Sequence, residues 1–211
     1  MAQVKKDEIK YAIVDSARNL FSVHGYQKTT ISSIARQAKL SVGNIYAYFP
    51  SKLDLLYEIY GPWMQGWYEN LELEVRSTRE PTEKLRLLFK GLWHDFPASN
   101  PGLANSLMEA LASSDARPRM PDDLLSWFEK RLARLLSEIL SQSTVPTQEF
   151  KALAQMVMMT QDGYIINYRR GENRDIDEVV RAFSEALYLS SKAEVQNFHA
   201  IFTDSRSKAK F

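Results

Sequence analysis

Apolar residues recur at spacings of three and four along nearly the whole of this 211-residue chain, broken at intervals by proline and glycine. That periodicity admits one class of fold, an assembly of amphipathic helices. Ile9, Ile13, Ala17, Leu20 and Phe21 form one stripe on a first helix, and Gly25 stands where that helix should stop. Thr30 is placed to cap a short second helix carrying Ile31, Ile34, Ala35 and Ala38, and Ser41 to cap a third carrying Ile45, Tyr46 and Phe49. Ser51 with Asp54 resembles a capping box for a fourth helix, running from Lys52 into the mid-seventies through Gly61-Pro62. Proline there removes one backbone hydrogen bond and predicts a kink. Further helices are expected at 82–96, 101–113, 121–142, 147–171 and 175–197. With no strand-like alternation and no repeats, the expected fold is all-α, with about nine helices. A three-helix helix-turn-helix domain over residues 1–52 should precede a larger helical domain over 53–203, and a basic tail, 204–211, should be disordered.

The chain has no cysteine, which removes disulfides, thiolate metal sites and cysteine nucleophiles together and suits a reducing cytoplasm. Its histidines, His24, His94 and His199, are scattered, and no HExxH, GxSxG or phosphate-cradling glycine loop occurs. Neither an enzyme, a metal site nor a cofactor is expected. The polar start, Met1 to Asp7, has no apolar stretch behind it, so no secretory signal is expected, and no apolar run reaches the ~20 residues a membrane span needs.

The net charge of +1 hides an asymmetry. Residues 1–52 hold Lys5, Lys6, Lys10, Arg18, Lys28, Arg36, Lys39 and Lys52 against Asp7, Glu8 and Asp15, leaving the remainder net acidic. A basic head on a mildly acidic body suits a polyanion met by the head alone. The two short helices joined at Ala38-Lys39-Leu40 have the length of a helix-turn-helix. One face supplies core (Ile34, Ala35, Ile45, Phe49), while Val42, Gly43, Asn44 and Tyr46 form the opposite face of the third helix, suited to base edges in the major groove. Thr30, Ser32, Ser33, Tyr48 and Lys52 flank it with hydroxyls and charge suited to phosphates.

Ala17-Arg-Asn-Leu20-Phe21, Gly25-Tyr26, Thr29-Thr30-Ile31, Ile34-Ala35, Ala38, Ser41-Val-Gly43-Asn-Ile45-Tyr46-Ala-Tyr48-Phe49 and Lys52-Leu53-Asp-Leu55-Leu56 together resemble the TetR family of repressors. The resemblance covers about the first 56 residues and implies a homodimeric DNA-binding regulator whose variable helical body binds an effector. Carried over position by position, it places Ser32, Val42, Gly43, Asn44 and Tyr46 toward bases, and Thr30, Ser33, Ser41, Tyr48 and Lys52 toward phosphates. The family commonly has glycine in the turn, where this chain has Lys39. A left-handed lysine there costs on the order of 1 kcal/mol.

In the body, Trp63, Trp67, Trp93, Met108, Trp127 and Tyr164 are candidates to line one apolar effector cavity. The resemblance assigns the last two long helices to a four-helix dimer interface, with Phe150, Leu153, Val157, Ile165, Tyr168, Val179, Phe183 and Leu187 as candidates. A two-fold dimer would match a palindromic operator with half-sites ~34–36 Å apart. The expected partners are therefore operator DNA, a second copy of the chain and a small apolar or aromatic effector, with no membrane. The competing expectation is a DNA-binding regulator without a small-molecule effector, constitutive or controlled by a protein partner. A solid core at Trp63 and Trp93 would favour it.

Overall fold

The computed structural model describes residues 2–113, 122–142, 144–169 and 175–192. The expected tail, 204–211, lies outside them, as does the side chain of Tyr168. The elements run α1 (Ala2–Lys28), α2 (Ile31–Gln37), α3 (Val42–Tyr48), α4 (Lys52–Ser77) and α5 (Pro81–Lys90). A π-helical turn, Gly91–Asp95, then leads directly into α6 (Phe96–Ser99), followed by α7 (Pro101–Ser113), α8 (Asp122–Ile139), α9 (Glu149–Arg169) and α10 (Ile176–Lys192). The backbone stays right-handed helical from Lys90 through Gly91, Asp95 and Phe96, so α5, the π turn and α6 form one rod and the described chain is nine rods, all helical. Among the described residues no helix is long and apolar enough to cross a membrane.

The helix starts follow the side chains that accept the first free amide groups. Thr30 accepts from the Ser33 amide, Ser41 from the Asn44 amide and Ser51 from the Asp54 amide, as the sequence spacing predicts. Gly25 interrupts α1 with φ +78°, and one further helical turn follows it to Lys28. The apolar stripe of α1 is the core of the head: Ile13, Ala17 and Phe21 are fully buried, with Ile34, Ile45, Leu55 and Leu56 closing over them. Each isoleucine, leucine or phenylalanine among them contributes roughly 1.5–3 kcal/mol on burial. α4 continues through Pro62 as one helix and carries this core into the body.

Head and body are joined chiefly by α1 against α7, the most extensive pairing of helices among the described residues. Gly102 makes it possible. A Cβ on Gly102 would stand 1.8 Å from the Ser22 carbonyl oxygen, so the two backbones touch. Ser106 Oγ, buried, donates to the Phe21 carbonyl at 3.0 Å, and Asn100 Nδ2 donates to Ser22 Oγ at 3.2 Å. These bonds bridge gaps of 85 and 78 residues in the chain.

α4 is tied to α8 by charge. Glu72 is 2% exposed, yet its carboxylate is held by Arg76 and by Arg131 of α8, while Arg76 also pairs with Glu138 at 3.0 Å and Arg131 with Glu69 at 3.1 Å. The arginines retain contact with solvent, which lowers the cost of keeping the carboxylate ionised. Nothing in the helical periodicity marks Glu72 as internal.

Gly102→Ala should destabilise the chain by about 1–3 kcal/mol, the usual range for forcing extra volume into a closed contact. Urea unfolding measures it, and an unchanged midpoint would mean that α1 and α7 do not approach this closely.

Candidate nucleic-acid interface

α2 and α3 are fixed by bonds that use some of the polar groups expected to meet DNA. Thr30 and Ser33 form a reciprocal capping box, with the Thr30 amide donating to Ser33 Oγ and the Ser33 amide to Thr30 Oγ1, both at 3.1 Å. Ser41 Oγ accepts the Asn44 amide at 3.2 Å and donates to Asn44 Oδ1. Asn44 is thereby oriented with its amide nitrogen still able to donate. Between the helices Lys39 takes φ 58°, the left-handed conformation expected of glycine there.

The outer face of α3 is open. Val42 is 39% and Tyr46 52% exposed, and Gly43 and Asn44 are exposed beside them. Ser32 is exposed on α2 and Tyr48 half-buried. Tyr46, apolar enough for a core, lies outside it. Ile45 and Phe49 turn inward and anchor the helix.

Lys52 is engaged in the fold. Its ammonium donates to the Tyr26 carbonyl at 2.8 Å and the Thr29 carbonyl at 2.9 Å, and lies 4.0 Å from the centre of the Tyr26 ring. Burial pulls its pKa below the ordinary lysine value, and the Glu109 carboxylate of α7 partly restores it. Two of its three donors thus hold the α1–α2 turn, and at most one remains for a phosphate.

The six body residues expected to share one cavity do not converge. Trp63 stacks on Phe96 at 4.3 Å, with Trp67 tilted against the same ring at 5.1 Å. Trp93 is buried between Phe89 and Phe183, and its Nε1 donates to the Val157 carbonyl at 3.1 Å. Met108 packs against the core from its edge. Tyr164 lines a narrow groove, with free space of only about 30 Å³, together with His94, Pro97, Ala98, Pro101, Ala104, Asn105 and Ile165. Trp127 is elsewhere, in a wide open cleft of about 640 Å³ between head and body, with Tyr48, Phe49, Tyr57, Gly61 and Pro62 on its walls. Aromatic side chains at helical spacing fill the interior first; of the six, Tyr164 lines the groove and Trp127 the cleft.

The expected dimer residues also divide. Phe150, Val157 and Ile165 are buried in the subunit's own core; Leu153, Phe183 and Leu187 pack against it, and Val179 is exposed. The open apolar stripe of α9 is instead Ala152, Met156, Met159, Gly163 and Ile166, and that of α10 is Val179, Ala182, Ala186 and Leu189. Both follow the three- and four-residue spacing of a helix–helix seam.

An exposed, uncharged helix face on a capped three-helix head, joined to a larger helical body, is a helix-turn-helix arrangement. Residues 13–59 match the family described as bacterial regulatory proteins, tetR family. The match lies within the head, from α1 into α4. It is 35% identical over 79 residues to the HTH-type transcriptional regulator HbdR of Aromatoleum sp. (strain CIB), covering 37% of this chain and 34% of that one. It is 33% identical over 86 residues to the fatty acid metabolism regulator protein of Bacillus subtilis (strain 168), covering 40% and 44%. The matches thus span about a third to under half of these curated relatives. The fold extends further: FadR from Bacillus subtilis, solved in complex with stearoyl-CoA, superposes with a TM-score of 0.65 over 85% of this chain and 98% of that one, at 22% identity.

Lys39→Gly should raise stability by about 0.5–1 kcal/mol, because the left-handed penalty disappears and only part of it returns as entropy of the unfolded chain. Thermal unfolding reads the change, and a midpoint that falls or stays put would show Lys39 to be unstrained.

Proposed function

We propose that this chain is a DNA-binding transcriptional repressor, acting in the cytoplasm as a homodimer on a palindromic operator and released by an apolar acyl effector carried as a coenzyme A thioester. The observation that carries the DNA reading is the open face of α3, with Val42, Gly43, Asn44 and Tyr46 exposed on a helix whose cap and core are closed. Gly43 lets the backbone come close to base edges, Asn44 offers amide donors, and Tyr46 and Val42 offer apolar contact. Ser32 joins them from α2. Thr30, Ser33, Ser41 and Tyr48 remain the proposed phosphate contacts, each reaching the backbone from a helix start or end. Lys52 joins them in a reduced capacity, since it also holds the turn. The reading head is taken as residues 1–52 and the effector and dimer body as 53–203.

The effector class is supported by the fold shared with a stearoyl-CoA complex and by the regulator of fatty acid metabolism among the relatives. Within this chain the groove beside Tyr164 and His94 is the preferred entrance for an acyl chain. The second reading, a regulator without a small-molecule effector, draws on the stacked aromatic packing at Trp63 and Trp93. Fluorescence anisotropy on operator DNA separates the two. Binding that weakens with added stearoyl-CoA supports the first, and binding indifferent to acyl-CoA of any length supports the second. Asn44→Ala should cost 5–100-fold on the operator, about 1–3 kcal/mol, and change sequence preference. Equal affinity for operator and random duplex in the unaltered protein would refute the DNA reading.

The dimer is proposed to form through the open stripes of α9 and α10. Met159, at 73% exposure, lies mid-seam. Met159→Glu should therefore give monomers by sedimentation with the helical content unchanged, whereas a substitution at the inward-facing Val157 should cost stability first.

A further inference from the structure

We infer that Glu109, on body helix α7, is a positioning residue for the DNA-reading head, fixing the α1–α2 turn and with it the angle at which α3 is presented. The inference rests on the DNA reading above and adds the residue through which the body holds the head.

The turn from Gly25 to Thr29 is crossed by bonds from three directions. Thr29 Oγ1 donates to the Gly25 carbonyl at 2.7 Å within the turn. Lys52, at the start of α4, holds the Tyr26 and Thr29 carbonyls. From the body, Glu109 Oε2 accepts the Gln27 amide at 3.1 Å, a bond spanning 82 residues of sequence. The same carboxylate fills the space beside Gly25, where a Cβ would stand 2.8 Å from Oε2. Glu109 is thus a side chain of the body in van der Waals contact with one end of the turn and hydrogen-bonded to its middle, with the Lys52 ammonium near enough to feel its charge.

α2 begins two residues after this turn, with Thr30 as its cap. Any rotation of Gln27 and Thr29 therefore carries the capped α2–α3 unit with it. Gly102, Ser106 and Glu109 succeed one another along the face of α7 that meets α1, and Glu109 is the last of them, farthest toward the reading helices. The first two contact the backbone of α1 at Ser22 and Phe21, and so place the helix. Glu109 alone of the three reaches past Gly25, and so places the turn and the start of α2.

The test uses Glu109→Ala, which removes the acceptor, and Glu109→Gln, which keeps an acceptor and removes the charge. Operator affinity is measured on the best duplex and on a duplex with one base pair inserted between half-sites, a shift of ~3.4 Å with ~35° of rotation. The unaltered protein should favour the first duplex by at least 10-fold. Glu109→Ala should lose most of that preference, with helical content and thermal midpoint close to the original, and Glu109→Gln should recover part of it. Because the chain has no cysteine, a Gln37→Cys, Lys130→Cys pair can be spin-labelled in the full protein. The head-to-body distance should then broaden or shift in Glu109→Ala. Unchanged spacing preference and unchanged distance would overturn the inference. A broadened distance in a protein that binds neither duplex would uphold Glu109 as the positioning residue while refuting the DNA reading.

Discussion

The approach of α7 onto the backbone of α1 is the contact on which the rest of the molecule depends. Without a side chain at Gly102, the body reaches the Ser22 carbonyl directly, and Ser106 can satisfy the Phe21 carbonyl in a place closed to water. A buried carbonyl left unpaired costs about 1–3 kcal/mol, so this bond selects one register of α7 along α1. The opposite side of α7 supplies Pro101, Ala104 and Asn105 to the groove beside Tyr164. One helix therefore borders both the reading head and the concavity proposed for the effector.

The chemistry of the head depends on how its charges are used. Lys52 has a sequence position suited to a phosphate, but its ammonium closes the α1–α2 turn against two carbonyls and an aromatic face. Lys10 pairs with Glu58 at 2.6 Å. Attraction to a polyanion would fall instead to Arg18, Lys28, Arg36 and Lys39, all exposed and none of them on α3. That division suits a reader whose long-range attraction is nonspecific and salt-sensitive and whose discrimination comes from an almost uncharged surface.

Local signals were legible in the sequence and long-range ones were not. Thr30, Ser41 and Ser51 announced their helices because a cap is a three-residue interaction, and the α1 stripe announced its core because its other face is polar. α9 carries apolar residues on both sides. Phe150, Val157 and Ile165 point inward while Met156, Met159 and Ile166 point outward, so periodicity alone could not say which set is free for the proposed second subunit. The aromatic residues of the body failed as a cavity list for a related reason. Trp63, Trp67 and Trp93 find ring partners on neighbouring helices, information absent from their own segments. Glu72 and Glu109 are ordinary helical glutamates until Arg131 and Gln27 arrive from 59 and 82 residues away.

The size of the head–body joint suits regulation better than either a looser or a larger interface would. Releasing an operator 100-fold requires about 2.8 kcal/mol, two tenfold steps of ~1.4, within the ~1–3 kcal/mol usual for coupled sites. The polar bonds across the joint, from Asn100 to Ser22, Ser106 to Phe21 and Glu109 to Gln27, are each worth on the order of 0.5–1.5 kcal/mol net. In the proposed dimer, loss or displacement of one or two in each subunit would supply the needed energy. The apolar core beneath them runs from Phe21 through Leu55 to Leu103 and Leu107. The proposed effector, acting on α7, would need to unfold nothing. It has only to favour a register in which these few bonds no longer align the two heads.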